Sequence, residues 1–333
     1  MRGPDRQGAG YVGYAPRVPS RARTNCRLSL WLALVVVSAG CSPAPDESNG
    51  APRSARAADP EDWGAALRDP SVETTLRAVG QPHAAVREGI GPHRLHYTAE
   101  LSLEDPTTDD AEALPELDAP AVLDDSVKDE LELLWAPRDG ATRFSLRQLN
   151  DKDRGREVIL VDGRVHTRER HRAWEHYAVE TDLHERWLDD AQRAVHDVLE
   201  LAAPRLHVTA KDSSTPDLVV LQLGLAEATT EALRRAGTVS RWRGGAEIQQ
   251  VSGEIVLEAS TGAWRSATVD VRYALQAADG RTLRGTVHFE GAVEPLSAGG
   301  GDIRAPADSE PLAERTRLQA ERQELLDGLA APR

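Results

Sequence analysis

The spacing of apolar and polar residues changes along the chain and predicts a small number of helices. Residues 183–202 carry apolar side chains at helical spacing, which predicts one amphipathic helix that ends at Pro204. Asp182 followed by Glu185 is typical of a capping box at its start. A shorter helical pattern opens at Ser71, after Pro70, and residues 227–236 predict another. The apolar stripe of the long helix comprises Leu183, Trp187, Leu188, Ala191, Val195, Val198, Leu199 and Ala202.

Most of the pattern between residues 94 and 295 instead has a period of two, which is typical of strands with one buried face. Asp162-Gly163 is a strong hairpin signal because both residues can take a positive φ. Short turns join only antiparallel neighbours, so the strands predict an antiparallel meander. The predicted strands cover residues 96–103, 127–135, 143–150, 156–161, 164–170, 174–181, 218–225, 246–259, 264–277 and 281–293.

The first 40 residues have the character of an export signal. Basic residues precede an apolar run of ten residues, 28–37. That run is too short to cross a bilayer, which takes about 20 apolar residues, but it suits a signal peptide. Ser38, Ala39, Gly40 and Cys41 then close the segment. This tetrapeptide resembles the lipobox of bacterial lipoprotein precursors, and the alternative is an ordinary signal peptide with a coincidental cysteine.

The lipobox resemblance implies that the chain is cut before Cys41 and lipidated there. The mature protein would then be a lipid-anchored protein of the cell envelope, expected at the outer membrane and facing the periplasm. Residues 41–60 are rich in Ser, Pro and Ala and predict a flexible tether. Its membrane contact is expected through the lipidated Cys41.

Charge and cysteine content narrow the classes of partner. Residues 1–40 contain six Arg and one Asp, so their removal takes the formal charge from −14 to −19. Such an acidic chain is not expected to bind nucleic acid, which requires clustered Lys and Arg. Cys26 and Cys41 are the two cysteines, and Cys41 is therefore the single thiol of the mature chain. A disulfide or a catalytic thiol is not expected.

The pattern divides the chain into five parts. After the signal and the tether, residues 61–93 predict an N-terminal helical segment, and residues 94–295 predict the main domain. Residues 104–125 hold nine carboxylates and form an acidic loop of that domain. Residues 296–333 predict a Gly-rich linker followed by a helix from about Glu310.

Histidines at four positions invite a metal interpretation, which their spacing does not support. His184-Glu185 has Leu188 where an HExxH motif needs its second histidine. His171 and His176 are one residue too far apart for HxxEH, and spacings of five place strand residues on opposite faces. His166 is expected to be a surface or cross-strand residue. We therefore predict no catalytic residue, no metal ligand and no cofactor.

Residues 251–262 contain Gly253, Glu258 and Thr261-Gly262 at a spacing that resembles a strand and turn of the LolA/LppX-like lipoprotein carriers. The order of elements resembles that superfamily as well. The resemblance implies an α+β fold, in which about ten antiparallel strands form a curved half-barrel and helices cover its concave face. Proteins of this kind hold acyl chains in an apolar concavity.

Three functions remain open on the sequence alone. The first is a non-catalytic envelope lipoprotein that binds lipid or lipoprotein acyl chains. The second is an envelope scaffold or interaction protein of related fold without a ligand. The third is an anchored hydrolase, whose sign would be converging carboxylates or histidines of perturbed pKa in a cleft.

Replacing the lipobox cysteine tests the predicted anchor. We expect Cys41→Ala to release the protein from membranes or to leave it unprocessed, because several acyl chains anchor stably and none would remain. Membrane fractionation with mass measurement of the chain provides the readout, and Cys26→Ala is the matched control. A mature-length Cys41→Ala chain that still fractionates with membranes would contradict the prediction.

Overall fold

The protein contains one large sheet, accompanied by few helices. The computed structural model describes residues 62–105, 124–179, 183–211, 213–227, 245–277, 280–297 and 301–312. Within these ranges no helix combines the length and the apolar character that are needed to cross a membrane.

Three short helices precede the sheet and two interrupt it. The helices are α1 (Trp63–Ala66), α2 (Val72–Val79), α3 (His83–Ile90), α4 (Leu183–Gln192) and α5 (Ala194–Ala202). The strands are β1 (His93–Glu104), β2 (Asp124–Trp135), β3 (Phe144–Asn150), β4 (Gly155–Val161), β5 (Arg164–Glu169), β6 (Glu175–Ala178), β7 (Leu206–Lys211), β8 (Leu218–Leu225), β9 (Glu247–Glu258), β10 (Trp264–Gln276), β11 (Thr282–Pro295) and β12 (Glu310–Pro311).

The twelve strands form a single sheet in the order β12-β6-β5-β4-β3-β2-β1-β11-β10-β9-β8-β7. Neighbouring strands are antiparallel except for β12, which is parallel to β6. The two outermost strands do not pair with each other, so the sheet is open. β1 and β11, far apart in sequence, join the two meanders along twelve residue pairs.

One face of the sheet carries most of the apolar core, which we call the inner face. Along β11, buried residues such as Val287, Phe289 and Val293 alternate with exposed ones. Leu188 of α4 and Leu199 of α5 belong to the same buried cluster as these strand residues. α5 contacts β10 and β11, whereas α4 contacts β2. Helices and sheet therefore share one core.

Much of the sequence-based description is confirmed. Ten predicted strands are present with small shifts at their ends, and the hairpin turn has positive φ at both Asp162 and Gly163. Ser71 caps α2 by accepting a hydrogen bond from the Thr74 backbone N–H at 3.0 Å. Five of the tryptophans are buried: Trp63, Trp135, Trp174, Trp187 and Trp264.

The prediction of one helix over residues 183–202 was wrong at its centre. Arg193 separates α4 from α5, and the carbonyl of Gln192 accepts a hydrogen bond from the Trp264 indole N–H at 2.8 Å. That carbonyl is turned toward β10, which accounts for the break in the helix. Asp182 of the proposed capping box lies outside the described residues, and Glu185 forms an ion pair with Arg87.

The sequence patterns also missed two strands and one feature of the tail. β7 follows directly after the 3-10 turn Ala203–Arg205, and its short edge position gives little apolar alternation. Glu310, where a helix was expected to begin, belongs to the two-residue strand β12. Ile303 is buried on the outer face beside Ala136 and Val161, so this part of the tail is docked.

Other predicted segments lie outside the described residues. These are the signal and tether up to residue 61, most of the acidic loop, the helix over residues 227–236 beyond Glu227, and residues 313–333. Asp105, at the start of the acidic loop, is buried and pairs with Arg281 at 2.5 Å.

Two glycines in neighbouring strands make a matched stability test. A Cβ at Gly253, where φ is +141°, would lie 2.0 Å from the Thr268 carbonyl oxygen, whereas one at Gly224 would meet nothing within 4 Å. We expect Gly253→Ala to lower the free energy of unfolding by about 2–4 kcal/mol, through backbone strain and overpacking. Gly224→Ala should change it by less than about 0.5 kcal/mol. Urea unfolding measures both, and equal effects would contradict the assigned close approach.

Candidate functional site

The residues of the predicted lipidation site cannot be located in the structure. Ser38, Ala39, Gly40 and Cys41 lie outside the described residues. Lipidation at Cys41 therefore stays a prediction.

The turn between β9 and β10 holds a network centred on Glu258, which we call the joint. One carboxylate oxygen of Glu258 accepts a hydrogen bond from the Thr261 hydroxyl at 2.7 Å. The other accepts one from the Arg265 guanidinium, also at 2.7 Å. Gly262 takes a φ of +68°, which favours glycine. The Glu, Thr and Gly singled out in the sequence thus fix the shape of this turn.

The N-terminal helices contact the joint at three points. The Gln81 side-chain amide donates a hydrogen bond to the Thr261 carbonyl at 2.9 Å. A Cβ at Gly262 would come within 2.7 Å of the Trp63 ring, so α1 packs on the bare glycine. On α3, a Cβ at Gly89 would lie 2.4 Å from the Thr261 methyl carbon. The joint is therefore where α1, α2 and α3 meet the sheet.

A second set of contacts, which we call the clasp, ties α3 to α4 over one end of β2. Asp189 accepts a hydrogen bond from the His83 backbone N–H at 2.8 Å. One turn along each helix, Arg87 donates to both oxygens of Glu185 at 3.1 and 3.2 Å. The Trp135 ring packs edge-on against His83, with ring centroids 4.8 Å apart, and the Arg87 guanidinium lies 5.2 Å from the ring centroid.

The clasp includes a fully buried pair of histidines. The Nε2 atoms of His83 and His93 lie 3.4 Å apart, and Nδ1 of His93 is 2.7 Å from the Gly91 carbonyl oxygen. Burial, together with the nearby His93 and Arg87, lowers the pKa of His83 to about 3. Burial also lowers the pKa of His93, although the hydrogen bond to the Gly91 carbonyl raises it. Both rings are neutral at pH 7.

Asp129, on the inward-facing side of β2, has a pKa near neutrality. Burial and the charge of Asp151 together raise the pKa of this carboxyl to about 6, although a hydrogen bond with the Asn150 side chain lowers it. Burial also raises the pKa of Tyr97, with Asp129 the largest contributor among the nearby charges. Asp129 is therefore the described carboxyl best suited to take up a proton near pH 6.

The histidines that invited a metal interpretation are dispersed except for one pair. His166 and His176 face each other across β5 and β6, with ring centroids 5.3 Å apart, and both Nδ1 atoms lie within 3.1 Å of the Ser309 hydroxyl. They hold the C-terminal segment to the sheet. His171 bonds Asp153 at 2.8 Å in a turn, whereas His184 lies on α4.

A different set of potential ligands lies on α5. His196, Asp197 and Glu200 present ligand atoms that lie within 4.8 Å of one another. His196 and Glu200 are four residues apart and therefore lie one helical turn apart. This spacing is a sequence signal for the cluster, and it was missed. All three side chains are only half-buried. An exposed cluster of this kind is common on acidic proteins without a metal.

Two shallow depressions on the described part of the surface are lined by no residue of α3, α4 or α5. One, of about 560 Å³, is lined chiefly by polar residues of β1, β2, β3 and β11, including Arg94, Glu132 and Arg147. The other, of about 580 Å³, lies between residues 68–72 and residues 206–210 of β7. Neither includes Asp129 in its lining.

Comparison of the sequence with protein-family models gives no match, and comparison with curated proteins gives none either. The resemblance to lipoprotein carriers therefore depends on the order of the elements and on the residues of the joint.

The joint is testable through two of the glutamates of β9, Glu258 and Glu254. Glu258→Gln removes the charged partner of the half-buried Arg265 guanidinium, so we expect the free energy of unfolding to fall by about 1.5–3 kcal/mol. Glu254→Gln is the matched control, because Glu254 pairs with Lys211 at the exposed surface, and its effect should stay below about 0.5 kcal/mol. Denaturant unfolding measures both. Equal losses would show that the Glu258 network contributes no more than a surface pair.

Proposed function

We propose that this protein is a non-catalytic, membrane-anchored envelope lipoprotein that binds lipid or lipoprotein acyl chains on the inner face of its sheet. In this proposal the sheet is a curved half-barrel, the helices cover its concave side, and lipidated Cys41 supplies the membrane anchor. Outer-membrane attachment facing the periplasm follows from the lipobox resemblance.

The observation that carries the proposal is the continuity of the apolar inner face. A single buried cluster reaches from Leu221 on β8 to Val165 on β5 and includes the inward side chains of α4 and α5. Burial of apolar area contributes about 25 cal/mol per Å², so such a face can bind an acyl chain without catalytic residues. The helices α4 and α5 lie on this face, so in this proposal a ligand reaches it only when helices move aside.

The segment best placed to move comprises α1, α2 and α3, which we call the flap. It joins the sheet covalently only at the start of β1, through Gly91, whose φ is +70°. Its other end continues into the predicted tether. The joint and the clasp each supply polar contacts between the flap and the rest of the fold. Release of those two contact sets would weaken the attachment of the flap and leave its apolar packing in place.

A second function, an envelope scaffold without a ligand, is favoured by how well the core is filled. Leu188, Val195 and Leu199 are fully buried against the strands, as in an ordinary protein interior. In a scaffold the helices would be permanent parts of the core. Binding experiments on a flap that can be locked separate the two functions.

A reversible disulfide between α3 and the joint provides that lock. The Cβ positions of Gly89 and Thr261 are 3.5 Å apart, which lies within disulfide geometry. In a soluble form that begins at Ser42, the introduced cysteines are the only two, because Cys26 and Cys41 precede it. We expect Gly89→Cys/Thr261→Cys to bind a fluorescent long-chain fatty acid when reduced. The oxidised form should bind at least about tenfold more weakly, because the flap stays closed.

The single variant Thr261→Cys, under the same oxidising conditions, controls for loss of the threonine hydroxyl. Mass spectrometry of lipids that copurify with the unmodified soluble form is the companion measurement. Binding that is equal in the oxidised and reduced forms would contradict a flap that controls access. Failure of both forms to bind, with no copurified lipid, would favour the scaffold.

A further inference from the structure

The clasp is antiparallel and repeats after one helical turn. His83 and Arg87 on α3 face Asp189 and Glu185 on α4, and Trp135 lies beneath both α3 residues. Asp189 accepts from the backbone N–H at the start of α3, and Glu185 accepts from the Arg87 side chain one turn later, so a displacement of α3 away from α4 would break both contacts. The two contacts of the clasp are therefore expected to break together.

The hydrogen bonds of the histidine pair determine where its protons lie. Nδ1–H of His93 donates to the Gly91 carbonyl, so Nε2 of His93 carries a lone pair and accepts from Nε2–H of His83. Nδ1 of His83 is left as a buried acceptor without a hydrogen-bond partner among the described residues. This chain of donors and acceptors requires both rings to be neutral.

An added proton disrupts the pair at either ring. On Nε2 of His93 it would turn two N–H donors toward each other across 3.4 Å. On Nδ1 of His83 it would place a buried charge where no acceptor is available. The neighbouring cations are Arg87 on α3 and Arg265 on β10, each already paired with a glutamate, and both disfavour a further positive charge.

We propose that the histidine pair makes the clasp proton-sensitive, so that protonation of His83 or His93 separates α3 from α4 and from the ends of β1 and β2. If the proposed function is correct, opening of the clasp lowers the free energy needed to expose the inner face to an acyl chain in acidic surroundings. The consequence for ligand binding depends on that function, whereas the opening itself does not.

The direction of the pH dependence follows from the two states. In the open clasp each histidine is expected to titrate near its ordinary pKa of 6.5, whereas burial holds the pKa of His83 at about 3 in the closed clasp. The open state therefore binds more protons as the pH falls below 6.5, and opening is favoured. Between pH 7.5 and 5.0, His83 alone increases the open-to-closed ratio by roughly 30-fold.

One acidic group of the clasp, Asp189, acts in the other direction. Burial raises the pKa of Asp189 in the closed state, so uptake of a proton by Asp189 favours the closed clasp. Glu185, which also contacts His184, is paired with Arg87. Asp189 titrates from a lower ordinary value of 3.8, so the histidines are expected to dominate between pH 7.5 and 5.0.

Hydrogen exchange followed by mass spectrometry tests the proposal without any ligand, on the soluble form that begins at Ser42. Protection factors, corrected for intrinsic exchange at each pH, compare α3 with β10 and β11. We expect α3 amides to lose roughly 30-fold in protection between pH 7.5 and 5.0, while β10 and β11 lose much less.

Three substitutions make the result specific to the pair. His83→Gln keeps a donor at the position of Nε2, and His93→Asn keeps the donor to Gly91, so each removes titration while retaining a hydrogen bond. Each should reduce the pH-dependent loss, and the double variant should abolish most of it. His96→Gln, at an exposed position on β1, is the matched control and should respond like the unmodified protein.

Protection of α3 that does not change with pH would overturn the proposal, as would an equal loss in the double variant. A parallel loss in β10 and β11 would also overturn it, because the whole fold would then be opening. A pH-dependent clasp with no copurified lipid would uphold this inference and count against the proposed function. Lipid binding with a clasp that is insensitive to pH would uphold the proposed function and overturn this inference.

Discussion

The packing of α4 and α5 against the inner face of the sheet is the interaction on which the rest of the structure depends. Leu188, Val195 and Leu199 are fully buried, and they share one core with Val269 and Phe289. α5 lies against β10 and β11 and α4 lies against β2, so these two helices cover inner residues of the central strands. The hydrogen bond from Trp264 to the Gln192 carbonyl fixes where α4 ends and α5 begins, so the sheet also sets the shape of its helices.

Most strands could be predicted from the sequence because their inner and outer residues alternate cleanly, as in β10 and β11. The prediction failed where tertiary contacts override local pattern. The break at Arg193 depends on a tryptophan more than 70 residues away, and β7 is a short edge strand with a weak pattern. β12 forms because a tail segment reaches the edge of β6, which no periodicity within residues 296–312 indicates.

The candidate site was predictable in part. Glu258 and Thr261-Gly262 stood out as a strand and turn, and the structure adds that this turn receives three helices. The histidine pair gave no sequence signal, because His83 and His93 lie ten residues apart and in different elements. Their contact exists because α3 reverses direction at Gly91 and returns the chain to the start of β1. The two neutral rings meet near Arg87 only because of the path that the chain takes in the fold.

The energetics of the flap restrict what a ligand would have to be. Opening would expose Trp63, Leu67, Val79, Val86 and Ile90, which are buried in the closed form. At about 1.5–3 kcal/mol for each large side chain, their exposure costs on the order of 10 kcal/mol. An acyl chain gains about 0.8 kcal/mol for each buried methylene, so more than about 12 methylenes are needed to offset that cost. A short-chain or purely polar ligand could not hold the flap open, whereas a membrane-derived acyl chain could. Loosening the clasp would lower the free energy of opening only by the contribution of the clasp's polar contacts. The ligand would still have to replace the apolar packing of the flap.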